Sequence, residues 1–503
     1  MNPLYTVAEI RTIESAAAAT LPPGALMQRA GQAGANAALD LLPFSTAHAR
    51  VLVLAGPGDN GGDALEAAAH LSFTGAQVTL IHIAPDGAAA TSPERQAALQ
   101  RARSSDARFR EADDANLAGT DWNLVVDGLF GIGLKRPISG ALRGLVDAVN
   151  RLRCSVLALD VPSGLDADTG RVVGPDGVAI HATHTITFIG NKPGLHTCDG
   201  RDYAGLVDIA RLEIDAAHFA PAALHLNDVK FFARQLRARR HNSHKGSYGN
   251  VAVIGGARGM SGAPILAART AINSGAGRVY TLFVEEPLAA DPGQPELMCR
   301  AAQDFDLGQA TLVIGPGLGA SAAAKELLLK AIASGSPLLA DADALNLLAD
   351  DAGLQTALAQ RAAPTVLTPH PLEAARLLGT DIGAVQADRL AAARTLAARL
   401  QSVVALKGSG TVIAAPDGAA VINTTGNPAL ATAGTGDVLA GLCGALLAQN
   451  WPHWEAVLGA VWLHGMAADV LVTEGCGPIG LTAGELIPAI RTALNRLVQH
   501  QAR

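Results

Sequence analysis

The chain has few aromatic and few charged side chains: Phe, Trp and Tyr make up 4% and charged residues 17% of its 503 residues. Its 38 basic and 45 acidic residues leave a net charge of −7. This balance argues against a general binder of nucleic acids or membrane surfaces, because such a protein needs a basic footprint. No apolar run reaches the roughly 18 residues of a membrane span. We therefore expect a soluble protein with no nucleic-acid and no membrane partner.

Cysteines are also scarce, and they are scattered. Five thiols lie far apart, and no two of them have C-x-x-C spacing: Cys154, Cys198, Cys299, Cys443 and Cys476. This pattern fits buried thiols in a reducing compartment better than a disulfide framework or a zinc site. The first 14 residues lack the basic and then apolar pattern of a secretion signal. We expect a cytoplasmic protein.

Short apolar runs alternate with Ala- and Leu-rich helical stretches, which predicts an α/β fold whose parallel sheets are covered on both faces. The length allows about three ordinary domains or two large α/β domains. The predicted strands are 51–55, 78–83, 124–127, 156–160 and 185–189, and then 251–254, 279–283, 312–314, 338–340, 366–368 and 403–406. The alternation lapses between about 212 and 247, so we expect a domain boundary near 215–223.

A basic cluster lies in this interval. Its members are Arg234, Arg237, Arg239, Arg240, His241 and Lys245. Such a cluster is most often a solvated face, and the lack of interleaved aromatics makes a nucleic-acid role improbable. Its position before a Gly-rich segment leaves a phosphate-facing role open.

In the first half, polar residues gather where predicted strands end. A glycine-rich turn at 56–63 follows one strand, and Asp127 and Asp160 close two others. The carboxyl ends of parallel strands share one edge of the sheet, where ligands bind. Turn formation explains each residue singly, but a bound cation explains the set better. Asn60, Asp127 and Ser163 offer hard oxygens to such an ion, and Asp160 remains for proton transfer.

These segments, together with residues 26–31, 127–137 and 160–164, resemble NAD(P)H-hydrate epimerase in order and spacing. The resemblance implies a potassium ion on Asn60, Asp127 and Ser163, with Asp160 at the substrate. It also implies that hydrated NAD(P)H contacts Asp59, Asn60, Gly61, Gly62, Asp63, Gly131, Ile132, Gly133, Leu134, Lys135, Arg136, Pro137 and Asp160. The chain departs from the family at Asp59, where a second amide is usual, and at Ala64, where glycine is usual. A non-catalytic binding module remains the alternative for this half.

In the second half, Gly434-Thr435-Gly436 leads into a helical run, so its bare N–H groups could hold a transferring phosphoryl group. Asp437 then lies within reach of the hydroxyl that meets this phosphate and could take its proton. An acidic residue in a first helical turn is also common for structural reasons. The surrounding glycines and the Lys-Gly-Ser-Gly-Thr segment that begins at Lys407 favour the functional reading.

Segments at 244–249, 255–263, 295–298, 315–319, 341–346, 367–373, 407–411 and 434–437 resemble NAD(P)H-hydrate dehydratase, a ribokinase-like enzyme. In that family a nucleotide phosphorylates the hydroxyl of the hydrate, and loss of phosphate restores the ring. The residues implied to face the hydrate are Ala263, Gly317, Gly319, His370 and Asp437. Those implied to hold the nucleotide are Lys407, Gly408, Ser409, Gly410, Thr411 and Gly436. The Lys-Gly-x-Gly-Thr form resembles bacterial members, which use ADP.

Four further side chains keep two interpretations each. His370, between two prolines, fits a turn residue as well as a substrate contact. Asp341 and Asp343 end a strand and could bind magnesium together with nucleotide phosphates. His464 lies in an apolar helical run, which indicates a core or interface position.

Both resemblances together predict a fused repair enzyme. Residues 1–218 form a Rossmann-like, parallel-sheet epimerase domain for the R and S forms of NADHX and NADPHX, with K+ as cofactor. Residues 224–503 form a ribokinase-like α/β dehydratase domain that uses ADP with Mg2+ and gives AMP and phosphate. The alternative is a ribokinase-like small-molecule kinase fused to a non-catalytic nucleotide-binding module. Ala- and Gly-rich helix surfaces lead us to expect a homo-oligomer.

Overall fold

A computed structural model describes residues 2–42, 45–84, 92–111 and 117–501. Contacts divide the chain into two compact units, Pro3–Ala222 and Ala223–Arg503. They are called the first unit and the second unit below.

The first unit contains a parallel sheet of seven strands. In spatial order they are Arg108–Arg110, Gln77–His82, Arg50–Ala55, Leu124–Gly128, Ser155–Leu159, His184–Phe188 and Leu206–Ala210. The helices in the described part of this unit are Val7–Ala18, Ala25–Asp40, Asp59–Phe73, Pro93–Arg103, Gly140–Asn150 and Gly200–Tyr203. In the central strand Arg50–Ala55 every residue after Arg50 is buried, as expected for a strand covered on both faces.

The five strands predicted for this unit are confirmed, each within one residue at either end. The predicted strand 156–160 ends one residue early, because Asp160 takes a left-handed backbone with φ 68°. Arg108–Arg110 and Leu206–Ala210 were not predicted. Both are edge strands with mostly exposed or half-buried side chains, so neither carries the continuous apolar run of a covered strand.

The sheet of the second unit combines parallel and antiparallel pairs. In spatial order its strands are Leu224–Leu226, Ala420–Ile422, Val412–Ala414, Val403–Leu406, Thr365–Leu367, Leu338–Ala340, Thr311–Ile314, Asn250–Gly255, Arg278–Phe283 and Met298–Ala301. Pairing is parallel from Val403–Leu406 to Met298–Ala301, whereas Val412–Ala414 is antiparallel to both of its neighbours. The helices are Gly262–Asn273, Ala322–Ala333, Asp343–Ala349, Ala352–Ala359, Pro371–Leu378, Ile382–Ala387, Arg389–Leu400, Thr435–Ala448, His453–Thr473 and Ala483–Gln501.

The six strands predicted for the second unit are also confirmed within one residue. The antiparallel extension of the sheet was missed, because Val412–Ala414 and Ala420–Ile422 are only three residues long and give almost no pattern. The interval without alternation contains one short strand, Leu224–Leu226, and several single 3-10 turns.

Within the described residues one helix, His453–Thr473, is long and apolar enough to cross a membrane by length and composition, with a mean hydropathy of 1.6 over its most apolar window. About 61% of that window is buried inside the structure. Its residues belong to the apolar core of the second unit, together with helix Thr435–Ala448. Glu455, His464 and Asp469 interrupt the run, which is why the sequence shows no continuous apolar span.

Two candidate active sites

The first site forms where helix Asp59–Phe73 follows strand Arg50–Ala55. The predicted contact segment 59–63 is not a loop but the first turns of this helix. The glycines before and within it are required by close backbone approach. A Cβ at Gly56 would lie 1.7 Å from the Leu129 carbonyl oxygen, and one at Gly61 would lie 1.9 Å from the Gly56 oxygen. The helix N-terminus is thereby held at the carboxyl edge of the sheet.

A cavity of about 1080 Å³ opens at this edge. The predicted substrate contacts that line it are Asp59, Asn60, Asp63, Gly131, Ile132, Gly133, Leu134, Lys135, Arg136 and Asp160. Gly61, Gly62 and Pro137 do not line it. Gly62 faces Met27, whose sulfur would lie 2.6 Å from an added Cβ, and Pro137 packs against Gly174.

The cavity wall includes residues for which the sequence offered no signal. Arg11 and Glu14 reach it from helix Val7–Ala18, and Phe188 and Ile189 reach it from the end of a strand. Arg11 and Glu14 look like ordinary polar residues of an amphipathic helix.

A buried cradle of oxygens adjoins the cavity. The Asn60 amide donates to the Leu159 carbonyl at 3.1 Å, but its Oδ1 is buried with no hydrogen-bond partner. Asp127 is fully buried and accepts from the Ser163 hydroxyl at 2.6 Å, the Ser163 N–H at 2.8 Å and the Leu129 N–H at 3.2 Å. Burial raises the pKa of Asp127 to about 6, although the bonds from Ser163 oppose this. An orphaned acceptor beside a buried carboxylate fits a hard cation.

Asp160 lies beside this cradle, at the wall of the cavity. Its Oδ1 is 2.6 Å from Nζ of Lys192 and accepts from the Phe188 N–H at 3.3 Å. Its Oδ2 would lie 3.2 Å from a Cβ at Gly131, so glycine at that position leaves the second oxygen open. Asp63 faces the same cavity, and burial, followed by the charge of Asp160, raises its pKa well above the ordinary value.

The two departures from the epimerase pattern are accommodated locally. Asp59 is exposed, and its carboxylate lies 3.6 Å from Nε of Arg95, so the Arg95 guanidinium offsets part of the added negative charge. Ala64 is buried and faces Gly128, where an added Cβ would come within 2.4 Å of the Ala64 methyl carbon. Glycine at 128 thus makes room for alanine at 64.

The second site forms at the start of helix Thr435–Ala448. Gly434 precedes it with φ 89°, and a side chain there would collide with Leu266. The Thr435 hydroxyl bonds the Leu430 and Thr432 carbonyls, both at 2.9 Å, and fixes the turn. The N–H groups of Gly436 and Asp437 have no partner within their own helix and are available to an anion.

Lys407, Asp341, Gly436 and Asp437 come together at this turn. Lys407 Nζ lies 2.7 Å from Oδ1 of the buried Asp341, and a Cβ at Gly436 would lie 3.4 Å from the same Nζ. Burial and then the charge of Asp341 raise the pKa of Asp437 to about 6, while Lys407 lowers it. Burial lowers the pKa of Lys407, but the surrounding carboxylates outweigh it and raise the pKa above the usual value.

The side chain of Arg389 hydrogen-bonds the backbone where the segment that begins at Lys407 starts. This residue is 1% exposed, and its Nη2 donates to the carbonyls of Leu406 and Lys407, both at 3.1 Å. Gly408 has φ 133°, and a Cβ there would lie 2.9 Å from Nη1 of Arg389. The sequence did not indicate Arg389, which lies on a separate helix.

The glycines predicted to face the hydrate adjoin the start of helix Gly262–Asn273, whose second residue is Ala263. Gly317 and Gly319 have φ 58° and 72°, and an added Cβ at Gly317 would lie 2.4 Å from the Met260 oxygen. The Gly319 N–H donates to Asp343 at 2.8 Å. Asp341 and Asp343, the possible magnesium ligands, are thus both engaged by protein groups.

His370 caps helix Pro371–Leu378. Its Nδ1 accepts from the N–H groups of Leu372 at 3.1 Å and Glu373 at 3.3 Å, and its Nε2 lies 3.2 Å from Glu373 Oε1. Burial, followed by Lys407, lowers the pKa of His370, whereas burial raises the pKa of Glu373 to about 7. His370 is therefore a helix-capping residue whose pKa is affected by the charge of Lys407, and its contact with the hydrate stays a prediction. Glu373 was missed, although its spacing from His370 is that of a capping box.

Two other features of the sequence, His464 and the basic cluster, were not predicted as ligand contacts. His464 is buried in the core helix His453–Thr473, and burial lowers its pKa to about 4. The basic cluster is exposed; Arg239 stacks 3.7 Å from the Tyr248 ring centroid and donates to the Gly275 carbonyl at 2.6 Å. This is the solvated face that the cluster predicted.

Comparison with known proteins identifies relatives of both units. Residues 251–491 match the family described as NAD(P)H-hydrate dehydratase, and residues 23–194 match the family described as YjeF-related protein N-terminus. The bifunctional NAD(P)H-hydrate repair enzyme Nnr of Coxiella burnetii is 38% identical, with 98% of this chain and 100% of that protein covered. The ADP-dependent (S)-NAD(P)H-hydrate dehydratase of Neisseria meningitidis is 45% identical over 53% of this chain and 92% of that protein. A solved ribokinase-like superfamily protein from Enterococcus faecalis is 29% identical and covers 56% of this chain and 98% of its own, with a TM-score of 0.48.

Proposed function

Because the chain belongs to the family of bifunctional NAD(P)H-hydrate repair enzymes, we propose that it restores hydrated NADH and NADPH in two steps. The first unit interconverts the R and S hydrates, and the second unit dehydrates the S form with ADP, giving AMP and phosphate. The observation that carries the proposal is the group of Asp437, Lys407 and Asp341 at the N-terminus of a helix. Fusion suits the chemistry, because spontaneous hydration gives both stereoisomers and the second step accepts one.

In the second unit, Asp437 takes the proton of the substrate hydroxyl while the oxygen of that hydroxyl attacks the β-phosphorus of ADP. The P–O bond to AMP breaks, and AMP leaves with the electron pair. The N–H groups of the first helical turn and the Lys407 ammonium stabilise the charge on the transferring group. Loss of phosphate from the ring carbon, with a proton from the adjacent carbon, then restores the ring double bond.

The two candidate magnesium ligands of the second unit already contact protein groups. Asp341 is paired with Lys407 through Oδ1, and Asp343 accepts from the Gly319 N–H through Oδ2, so a protein group already holds one oxygen of each carboxylate. We propose that the ion enters as the complex with ADP, held by the nucleotide phosphates.

The first unit offers oxygen ligands that suit a potassium ion. The unpartnered Oδ1 of Asn60 and the buried carboxylate of Asp127 are the groups that would hold it, with Ser163 completing the cradle. When bound, the ion supplies positive charge beside the phosphate groups of the hydrate. The residues themselves orient the helix start and the turn after Gly128.

We expect potassium to stabilise the first unit against heat. In potassium chloride the thermal transition should move up relative to choline chloride at equal ionic strength, and a concentration of 100 Kd would add about 2.7 kcal/mol. Asn60→Leu should lose this increment, whereas Asn36→Leu on an exposed helix surface should keep it. Calorimetry measures the shift. Equal transition temperatures of the natural chain in the two salts would contradict the potassium site.

The whole proposal is tested with a mixture of R and S NADPH hydrate, ADP and magnesium. Absorbance of the restored dihydronicotinamide should rise until both stereoisomers are consumed. A plateau of the absorbance near the initial S fraction would mean that the chain dehydrates the S form but does not epimerise the R form. Accumulation of a stable phosphorylated hydrate, without recovery of NADPH, would favour the kinase alternative. Cytoplasmic location and a homo-oligomeric state stay predictions.

A further inference from the structure

A fully buried ammonium group lies behind the first site. Lys192 follows strand His184–Phe188 and is 0% exposed. A buried cation is costly unless hydrogen bonds and an opposite charge compensate it. Such a residue therefore indicates a specific arrangement of its neighbours.

The contacts of Lys192 supply this compensation. Its Nζ donates to the Thr187 hydroxyl at 2.7 Å, the Phe188 carbonyl at 2.9 Å and the Gly190 carbonyl at 3.2 Å. These three acceptors are neutral and lie within five residues of it. The carboxylate within ion-pair distance, in the described part of the chain, is Asp160, at 2.6 Å.

The ion pair with Lys192 places the two carboxylate oxygens of Asp160 in different environments. Oδ1 is held by Lys192 and by the Phe188 N–H. Oδ2 makes no hydrogen bond with the described residues and stands beside Gly131 at the cavity wall. The left-handed backbone of Asp160 aims the side chain in this direction, a conformation that the surroundings must enforce.

We propose that Lys192 is a positioning residue of the epimerase site, whose buried ammonium anchors Oδ1 of Asp160 so that Oδ2 faces the bound hydrate. The inference rests on the proposed function of the first unit. A carboxylate fixed by one oxygen loses little rotational freedom when substrate binds, and its other oxygen stays aligned for proton transfer. Lys192 does not touch the substrate, because it is sealed from the cavity.

Lys192→Met in the full chain tests this role, since Met keeps most of the length and removes the charge. The kcat of epimerisation should fall by about 10²-fold, as for a misplaced catalytic group, while KM stays within about threefold. Dehydration of S hydrate by the same chain should be unchanged. Lys330→Met is the matched control: it removes an exposed ammonium that is paired with Glu326 in the second unit, and it should change kcat little.

A double-mutant comparison separates positioning from a purely structural role. If Lys192 acts through Asp160, then Asp160→Asn/Lys192→Met should epimerise at the same residual rate as Asp160→Asn alone. This comparison also stands if Lys192→Met fails to fold, because the double variant leaves neither charge buried without its partner. A further loss of about tenfold in the double variant would overturn the inference, as would a natural kcat in Lys192→Met. A natural chain that does not epimerise would instead refute the proposed function.

Discussion

Asp437→Asn is expected to lower the rate of ADP-dependent dehydration by about 10²–10⁴-fold, the usual loss when a positioned general base is removed. Asparagine has nearly the same shape and can occupy the first turn of helix Thr435–Ala448, so the chain should stay folded. It cannot accept the hydroxyl proton at the moment the phosphoryl group is transferred. The initial increase in dihydronicotinamide absorbance, with pure S hydrate and ADP, measures the loss.

Two controls distinguish catalysis from a helix-start effect. Glu485 occupies the first turn of helix Ala483–Gln501, so Glu485→Gln removes an equivalent charge and should leave the rate unchanged. The base works when ionised, and the pKa of Asp437 is raised to about 6. For the natural chain kcat/KM should therefore rise with pH up to about 6 and then level. A natural rate in Asp437→Asn would contradict the assignment.

Asp160→Asn is expected to slow epimerisation and not dehydration. Epimerisation is expected to fall by about 10²–10⁴-fold, because the amide cannot take a proton. With a mixed R and S hydrate, recovery of NADPH should then stop near the initial S fraction and continue only at the uncatalysed rate. Dehydration of pure S hydrate should keep its natural rate, since the two carboxylates belong to different units.

Mixing variants gives a sharp control for both predictions. The Asp437→Asn chain has an intact first site, and the Asp160→Asn chain has an intact second site. Added together, they should restore complete recovery from the mixed hydrate, which neither achieves alone. If the mixture still stops at the S fraction, the loss in Asp160→Asn does not come from epimerisation.

The sequence predicted the parts of each site that depend on local pattern. Asp127 and Asp160 could be assigned to one edge because each ends an apolar strand, and parallel strands align their carboxyl ends. Gly434 and Asp437 could be assigned to a helix start because glycines precede a helical run. The covered strands were predicted for the same reason: a buried parallel strand is a continuous apolar run.

Partners set by long-range packing were not predictable. Lys192 is 32 positions from Asp160, Arg389 is 18 from Lys407, and Lys407 is 66 from Asp341. No periodicity links such pairs, and each member has an ordinary alternative as a surface residue. Lys407 illustrates the difference: its glycine-rich context indicated a phosphate contact, but not that a buried carboxylate would already hold its ammonium.

The backbone of Asp160 has a consequence for how this chain can change over generations. A left-handed residue other than glycine costs on the order of 1–3 kcal/mol, so glycine at 160 would relieve strain in the backbone. That same replacement deletes the carboxylate and leaves the buried ammonium of Lys192 without its opposite charge, which costs about 3–5 kcal/mol. Aspartate at 160 therefore contributes to the stability of the chain as well as to repair of the cofactor, and we expect replacements there to be eliminated on both grounds.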